Sequence, residues 1–133
     1  MKILLDTHML LWALLDSPEL PARARYLIED ANNDIYYSIV SLWEIQIKHL
    51  RHPEEMPVDV KEIEFYCEDS GFHNLPIRRV HVERLADILE PLNVKHKDPF
   101  DRMLISQALV DGMILLTKDK RIAQYDEPCI FPM

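Results

Sequence analysis

Five carboxylates stand at junctions between apolar and amphipathic stretches of this 133-residue chain: Asp6 after KILL, Glu44 in SLWEIQIKHL, Asp98 and Asp101 in KHKDPFDRMLISQAL, and Asp119 after MILLT in TKDKR. Each has a local explanation. Asp6 is placed to cap a following helix, and Ser41 to Glu44 matches the S-x-x-E capping box. Asp98 before Pro99 is an N-cap signature, with Asp101 where an acid suits the helix dipole, and Asp119 suits a turn. Collectively these explanations strain, because capping needs any of Ser, Thr, Asn or Asp, whereas acids recur here at successive junctions on one predicted side. Carboxylates brought together repel unless a cation lies among them. Hard divalent ions such as Mg²⁺ or Mn²⁺ take oxygen ligands, usually a few carboxylates together with water and substrate phosphate. Lys95, Lys97, Arg102, Lys118, Lys120 and Arg121 flank the acids and make up six of the 15 Lys and Arg. Cations beside a metal site suit a polyanionic substrate whose phosphates they position, while a solvated rim accounts equally well for any single one.

The elements that must position these residues are legible from periodicity. KILLD (2–6) predicts a first strand, DIYYS (34–38) a second, FHNLPI (72–77) a short third, MILLT (113–117) a fourth and PCIFP (128–132) a last. Between them the pattern predicts a helical segment from Met9 to Asp16, a helix over PARARYLIEDAN, one starting at Ser41, one or two over roughly 58–69, one over VHVERLADIL, one carrying the DPFD motif, and a turn or short helix over KDKRIAQY. Pro21, Pro57 and Pro99 are each read as opening a helix. Short apolar strands alternating with helices give an α/β chain with a largely parallel sheet covered on both faces. In such a sheet ligands bind beyond the carboxyl ends of the strands, near the point where strand order reverses.

Bulk properties narrow the function. The length fits a single domain over 1–133 able to bury a core without disulfides or structural metal, and no apolar run approaches the roughly 20 residues of a membrane span, so a soluble, cytoplasmic protein is expected. Asp6 and His8 interrupt the apolar start, which reads as a strand and not as a signal peptide. Cys67 and Cys129 lack ligand spacing and read as reduced thiols. With two glycines there is no glycine-rich phosphate loop. A formal charge of −8 excludes broad electrostatic binding of nucleic acid, so any such partner must be held locally. The six histidines are scattered, and Trp12 and Trp43 fall on apolar helix faces that suit core or a partner interface better than a base-stacking platform.

LLDTH, SLWEIQIK, LPI, HKDPFDRMLISQAL and LLTKD, in this order, closely resemble the PIN-domain ribonucleases, specifically the VapC-like toxins of bacterial toxin-antitoxin pairs. The resemblance spans nearly the whole chain, and the HxDPFDRxLIxQA pattern is its specific part. It implies a PIN-like three-layer α/β fold, Mg²⁺-dependent (or Mn²⁺-dependent) cleavage of RNA, a homodimer, and a cognate antitoxin whose C-terminal segment enters the active-site groove. On it, Asp6, Glu44, Asp101 and Asp119 match the family's acids, with Asp98 a cap at the outer shell. Thr7 and Thr117 match hydroxyls that support the carboxylates, and Lys48 and Arg102 match basic positions beside the groove; with Lys118, one of the cations flanking Asp119, they are expected to position RNA phosphates. The chain departs from many relatives in HLRHPEEMP after the WEI helix and in the long approach ILEPLNVKHKD; neither touches the acids.

Two other classes fit parts of the sequence. Asp6 at a strand end with Lys118 resembles a phosphoaspartate-type phosphotransfer domain, though DTHML lacks a DxDxT order. A binding module that masks RNA or a protein, with catalysis weak or lost, fits the same residues.

Overall fold

The computed structural model describes residues 1–91 and 98–133, so Lys95, His96 and Lys97 lie outside the described residues. Five strands, β1 (Lys2–Leu5), β2 (Asp34–Ser38), β3 (His73–Leu75), β4 (Ile114–Thr117) and β5 (Ile130–Pro132), form one sheet in the order β3-β2-β1-β4-β5 with every pairing parallel. Seven helices are described: α1 (Thr7–Leu14), α2 (Ala22–Glu29), α3 (Ile39–Arg51), α4 (Val60–Asp69), α5 (Arg79–Arg84), α6 (Pro99–Asp111) and α7 (Lys120–Ala123), with a 3-10 turn at Leu85–Asp87.

The strands carry apolar side chains on both faces, and two cores result. On one side Ile3, Leu5, Ile35, Tyr37 and Leu116 meet Met9, Leu10, Ala24, Ile45, Ile63 and Cys67 from α1 to α4. On the other, Leu4, Leu75 and Leu115 meet Leu104, Ile105, Ala108 and Ile122 from α6 and α7. Alternation of Ile3, Leu4 and Leu5 between cores is the period of two of a strand buried on both faces. The three layers read from the sequence are therefore present, and all the described strand pairs are parallel.

Several boundaries differ from the sequence reading, each for a local reason. α1 begins directly at Asp6, whose Oδ1 accepts the Met9 amide at 2.8 Å, so the helix starts two residues before Met9. α3 is capped by Ser38, whose hydroxyl accepts from Val40, and it runs straight out of β2; Ser41 is thus a buried residue of its first turn and no capping box forms with Glu44. Pro57 opens no helix, because Asp59 caps α4, and Pro21 is the N-cap residue of α2; only Pro99 stands in a first helical turn. α5 is shorter than VHVERLADIL: the Leu85 and Ile88 carbonyls are taken by Arg102 Nη2 at 3.2 and 3.1 Å, and the chain tightens into the 3-10 turn. α6 closes on Gly112 in the left-handed conformation (φ 64°), which a residue without Cβ adopts at no steric cost. Cys67 and Cys129 are free, and burial pushes their thiols up to about 12 and about 11, leaving them unreactive.

Candidate active site

The chain runs β1, β2, β3 outward in one direction and then returns to place β4 on the other flank of β1. Strand order therefore reverses between β1 and β4, and the crevice beyond their carboxyl ends is where such sheets hold ligands. Asp6 follows β1, and Thr117, the last residue of β4, donates a hydrogen bond of 2.5 Å from Oγ1 to Asp6 Oδ2 across that crevice. Both oxygens of Asp6 are thereby engaged, one by its own helix and one by the neighbouring strand. Thr117 Oγ1 also accepts the Asp119 amide at 3.0 Å, so one buried hydroxyl fixes two of the acids.

Asp6, Thr7, Glu44, Asp98, Asp101 and Asp119 line one cleft of about 20 Å³, room for about one water-sized particle, together with His8 and Arg121. Three of its acids are N-caps: Asp6 of α1, Asp98 of α6 and Asp119 of α7, so three helix N-termini converge on it. Their partial positive charge offsets part of the mutual repulsion. Asp98 accepts the amides of Phe100 and Asp101 at 2.8 and 3.3 Å, and Asp101, one turn into α6, is buried. Glu44 reaches the cleft from α3, where Thr7 Oγ1 lies 2.6 Å from its Oε1 and 3.0 Å from Ser41 Oγ. Thr7 has one hydroxyl proton and a carboxylate only accepts, so Thr7 donates to Glu44 and receives from Ser41.

The electrostatics differ among the acids. Burial pushes the Asp6 carboxyl above its usual 3.8, against the opposing hydrogen bonds from Thr117 and Met9. Burial also pushes Asp119 up, but the hydrogen bonds and charge of Arg121 outweigh it and hold Asp119 below the usual range. Arg121 forks onto Asp119, with Nε 3.3 Å from Oδ1 and Nη2 3.1 Å from Oδ2; it is raised chiefly by that carboxylate, with Asp101 and Asp98 adding to the effect. Among the described residues no three His, Cys, Asp or Glu side chains are gathered closely enough to hold one ion between them: Glu44 is turned onto Thr7 and Asp119 onto Arg121. The chemistry of the donors nevertheless suits a hard divalent ion, since all are carboxylate oxygens, and the buried Asp6 charge is one that a cation would relieve.

The candidate cations separate. Lys48 is exposed one turn beyond Glu44 on α3, and Lys118 is exposed beside the cleft with Nζ 5.8 Å from the Trp12 ring. Arg102 is a correction to the sequence reading: its guanidinium is turned onto the backbone carbonyls of Leu85 and Ile88 and near the Tyr125 ring, so it holds α6 to the segment after α5 and does not line the cleft. Arg121, by contrast, was legible only as one of several flanking cations and faces the acids directly. Trp43, read as core or interface, is 57% exposed and meets Phe100 edge-on at 5.0 Å.

Three polar residues that hold the site's elements had no signal of their own. Ser38 at the end of β2 donates to Gln107 of α6, and Gln107 donates to the Pro76 carbonyl after β3 at 3.2 Å, tying the LPI and LISQA segments to the strand ends. His81 is fully buried; its Nδ1 accepts the Arg78 amide at 2.9 Å, so Nε2 carries the proton donated to Asp111 at 2.7 Å. Periodicity marks such positions only as buried and cannot say which polar partner they meet.

An all-parallel, doubly covered sheet with carboxylates at its point of strand reversal defines an α/β domain with an acidic cleft. Residues 3–128 match the PIN domain family, and the chain belongs to it; PIN domains are generally nucleases. The fold is similar to that in the crystal structure of VapBC2 from Rickettsia felis bound to a DNA fragment from their promoter, with a TM-score of 0.69 at 15% identity over 100% of this chain and 98% of that one. No curated protein matches the sequence. Among the described residues no helix is long and apolar enough to cross a membrane.

Proposed function

We propose that this PIN domain is a Mg²⁺- or Mn²⁺-dependent endoribonuclease, the toxin of a toxin-antitoxin pair. The observation that carries the reading is one cleft, at the strand reversal of a PIN fold, lined by Asp6, Glu44, Asp101 and Asp119. These four would hold the ion once Glu44 and Asp119 turn from Thr7 and Arg121 toward it, with Asp98 outside them as the cap that orients the first turn of α6. A bound divalent ion supplies positive charge that stabilises in-line attack by water on the scissile phosphate. Thr117 and Thr7 fix the carboxylates of Asp6 and Glu44, so the acids act first as oriented ligands. Engagement of both Asp6 oxygens favours that role over a nucleophilic aspartate. Lys118, in the adjoining groove, and Lys48, one turn beyond Glu44 on α3, are both exposed and suited to phosphates adjoining the one cleaved. The similarity to VapBC2 supports an antitoxin partner for this chain as well, and a basic antitoxin segment would complement the acidic cleft. The expected oligomer is a homodimer.

The test is cleavage of purified RNA with Mg²⁺ by the wild type and by Asp6→Asn and Asp101→Asn. Wild-type cleavage abolished by chelator and by either substitution, with circular dichroism unchanged, is the expected result. Full activity in either variant would remove that acid from the mechanism, and an inactive wild type would remove the enzyme reading.

A further inference from the structure

Beside the acidic cleft lies a wider groove of about 540 Å³, lined by His8, Trp12, Glu19, Lys118, Lys120 and Arg121. It shares His8, Arg121 and Asp119 with the cleft, so the two are continuous. His8 and Trp12 are four residues apart on α1 and face the same way; their rings stack with centroids 5.8 Å apart and 24° between planes. The Lys118 ammonium stands 5.8 Å from the Trp12 centroid, at the outer limit of cation–π range. Three cations against Glu19 and Asp119 leave this groove with a local charge of +1 (3 − 2) on a chain whose formal charge is −8. Its volume falls within the roughly 300–1,000 Å³ of ordinary small-molecule sites.

Aromatic rings flanked by exposed lysines are the means by which proteins hold single-stranded nucleic acid: bases stack on the rings and phosphates meet the cations. We propose that this groove is the seat of the unpaired nucleotide next to the scissile phosphate, its base packed on Trp12 and His8 and its phosphate held by Lys118 and Lys120. The proposal rests on the ribonuclease reading and adds to it where the strand lies and that the strand is unpaired. It also answers how so acidic a chain holds RNA: by stacking and two or three local cations instead of an extended basic surface.

The experiment uses Trp43→Phe, which leaves Trp12 as the single tryptophan, combined with Asp101→Asn to prevent cleavage. A fluorescein-labelled single-stranded oligoribonucleotide of mixed sequence is titrated by anisotropy, and the unlabelled strand by Trp12 emission. Binding with quenching of Trp12, weakened about tenfold by Trp12→Leu or by His8→Ala, supports the proposal. His8 is exposed, so its variant retains the fold if Trp12→Leu does not. Binding without quenching and with His8→Ala and Lys118→Ala unchanged overturns the subsite while leaving the ribonuclease reading intact. Failure of the strand to bind at all overturns both. Normal RNA binding by Trp12→Leu together with loss of a protein partner assigns the groove to that partner and also overturns the proposal.

Discussion

At the scale of single residues, Asp6 illustrates a conflict between folding and function. Its folded-state pKa is raised by burial, so the ionised form is disfavoured in the native protein. The stability it contributes is full below its ordinary value of 3.8 and is lost as pH rises through the raised value. Without metal, Asp6→Asn should therefore unfold at the same or a higher temperature than the wild type near neutral pH, with the advantage gone by about pH 4. Thermal melts in chelator across that range check this; a variant less stable at every pH would show that the carboxylate is needed as a cap. Thr117 offers a second prediction. Thr117→Val keeps the shape but loses the donor to Asp6 and the acceptor for the Asp119 amide. RNA cleavage should fall by about 10- to 100-fold with the fold retained, as for outer partners that orient ligands. Steady-state kinetics with circular dichroism would sink the idea if activity is unchanged.

At the scale of elements, the site is assembled by helix caps. The short connections after β1 and β4 leave no room for separate binding loops, so the residues that cap the next helices, Asp6 and Asp119, also face the crevice; after β2 the cap Ser38 is buried against Gln107, and Glu44 reaches the cleft from further along α3. Asp98 and Gly112 bound α6 at opposite ends, and only the first of them faces the cleft. Asp98→Ala should cost about 1 kcal/mol of stability and also lower activity, because the first turn carrying Asp101 loosens. Gly112→Ala should cost about the same, purely from the left-handed backbone, since a Cβ there meets nothing within 4 Å. Its activity should remain near wild type. Urea titrations paired with cleavage assays separate the two, and equal losses of activity would mean that α6 responds as one rigid unit. The polar strut from Ser38 through Gln107 to Pro76 belongs to the same level: it holds α6 against two strand ends, and Arg102 holds it against the turn after α5.

At the scale of the whole molecule, charge decides the mode of binding. With exposed Lys48, Lys118 and Lys120 as the phosphate partners proposed among the described residues, binding of a single strand should weaken with salt at a log–log slope of about −2, far shallower than for an extensively basic protein. Affinities of the Asp101→Asn protein between low and moderate salt check this, and a slope several times steeper would place the strand on another surface. Exposed Trp43, Leu50, Phe65, Val82 and Leu89 provide apolar area for protein partners. Light scattering should give a dimer mass, and a search of the adjoining reading frames should find a small protein whose co-expression gives a complex in which cleavage is suppressed. A monomer that no neighbouring product inhibits would sink the toxin reading.

The sequence by itself determined the alternation of strands and helices, the two-faced burial of the sheet, and the acids at the junctions, because apolar period, capping chemistry and proline are local signals. The motif around Asp98 and Asp101 was strong enough to indicate the family before any coordinates. Tertiary structure decided what depends on residues far apart in the chain. It set the strand reversal that brings Asp6 to Thr117, 111 positions away, and the removal of Glu44 from a capping box to Thr7. It also turned Arg102 toward backbone carbonyls and Arg121 toward the acids. A charged side chain carries no local record of which of several partners it will meet. That choice is made by packing, where each buried donor must find an acceptor, and it is why the junction acids and, on the family motif, Thr7 and Thr117 could be picked out from the sequence while the contacts of Ser38, Gln107, Arg102 and Arg121 could not.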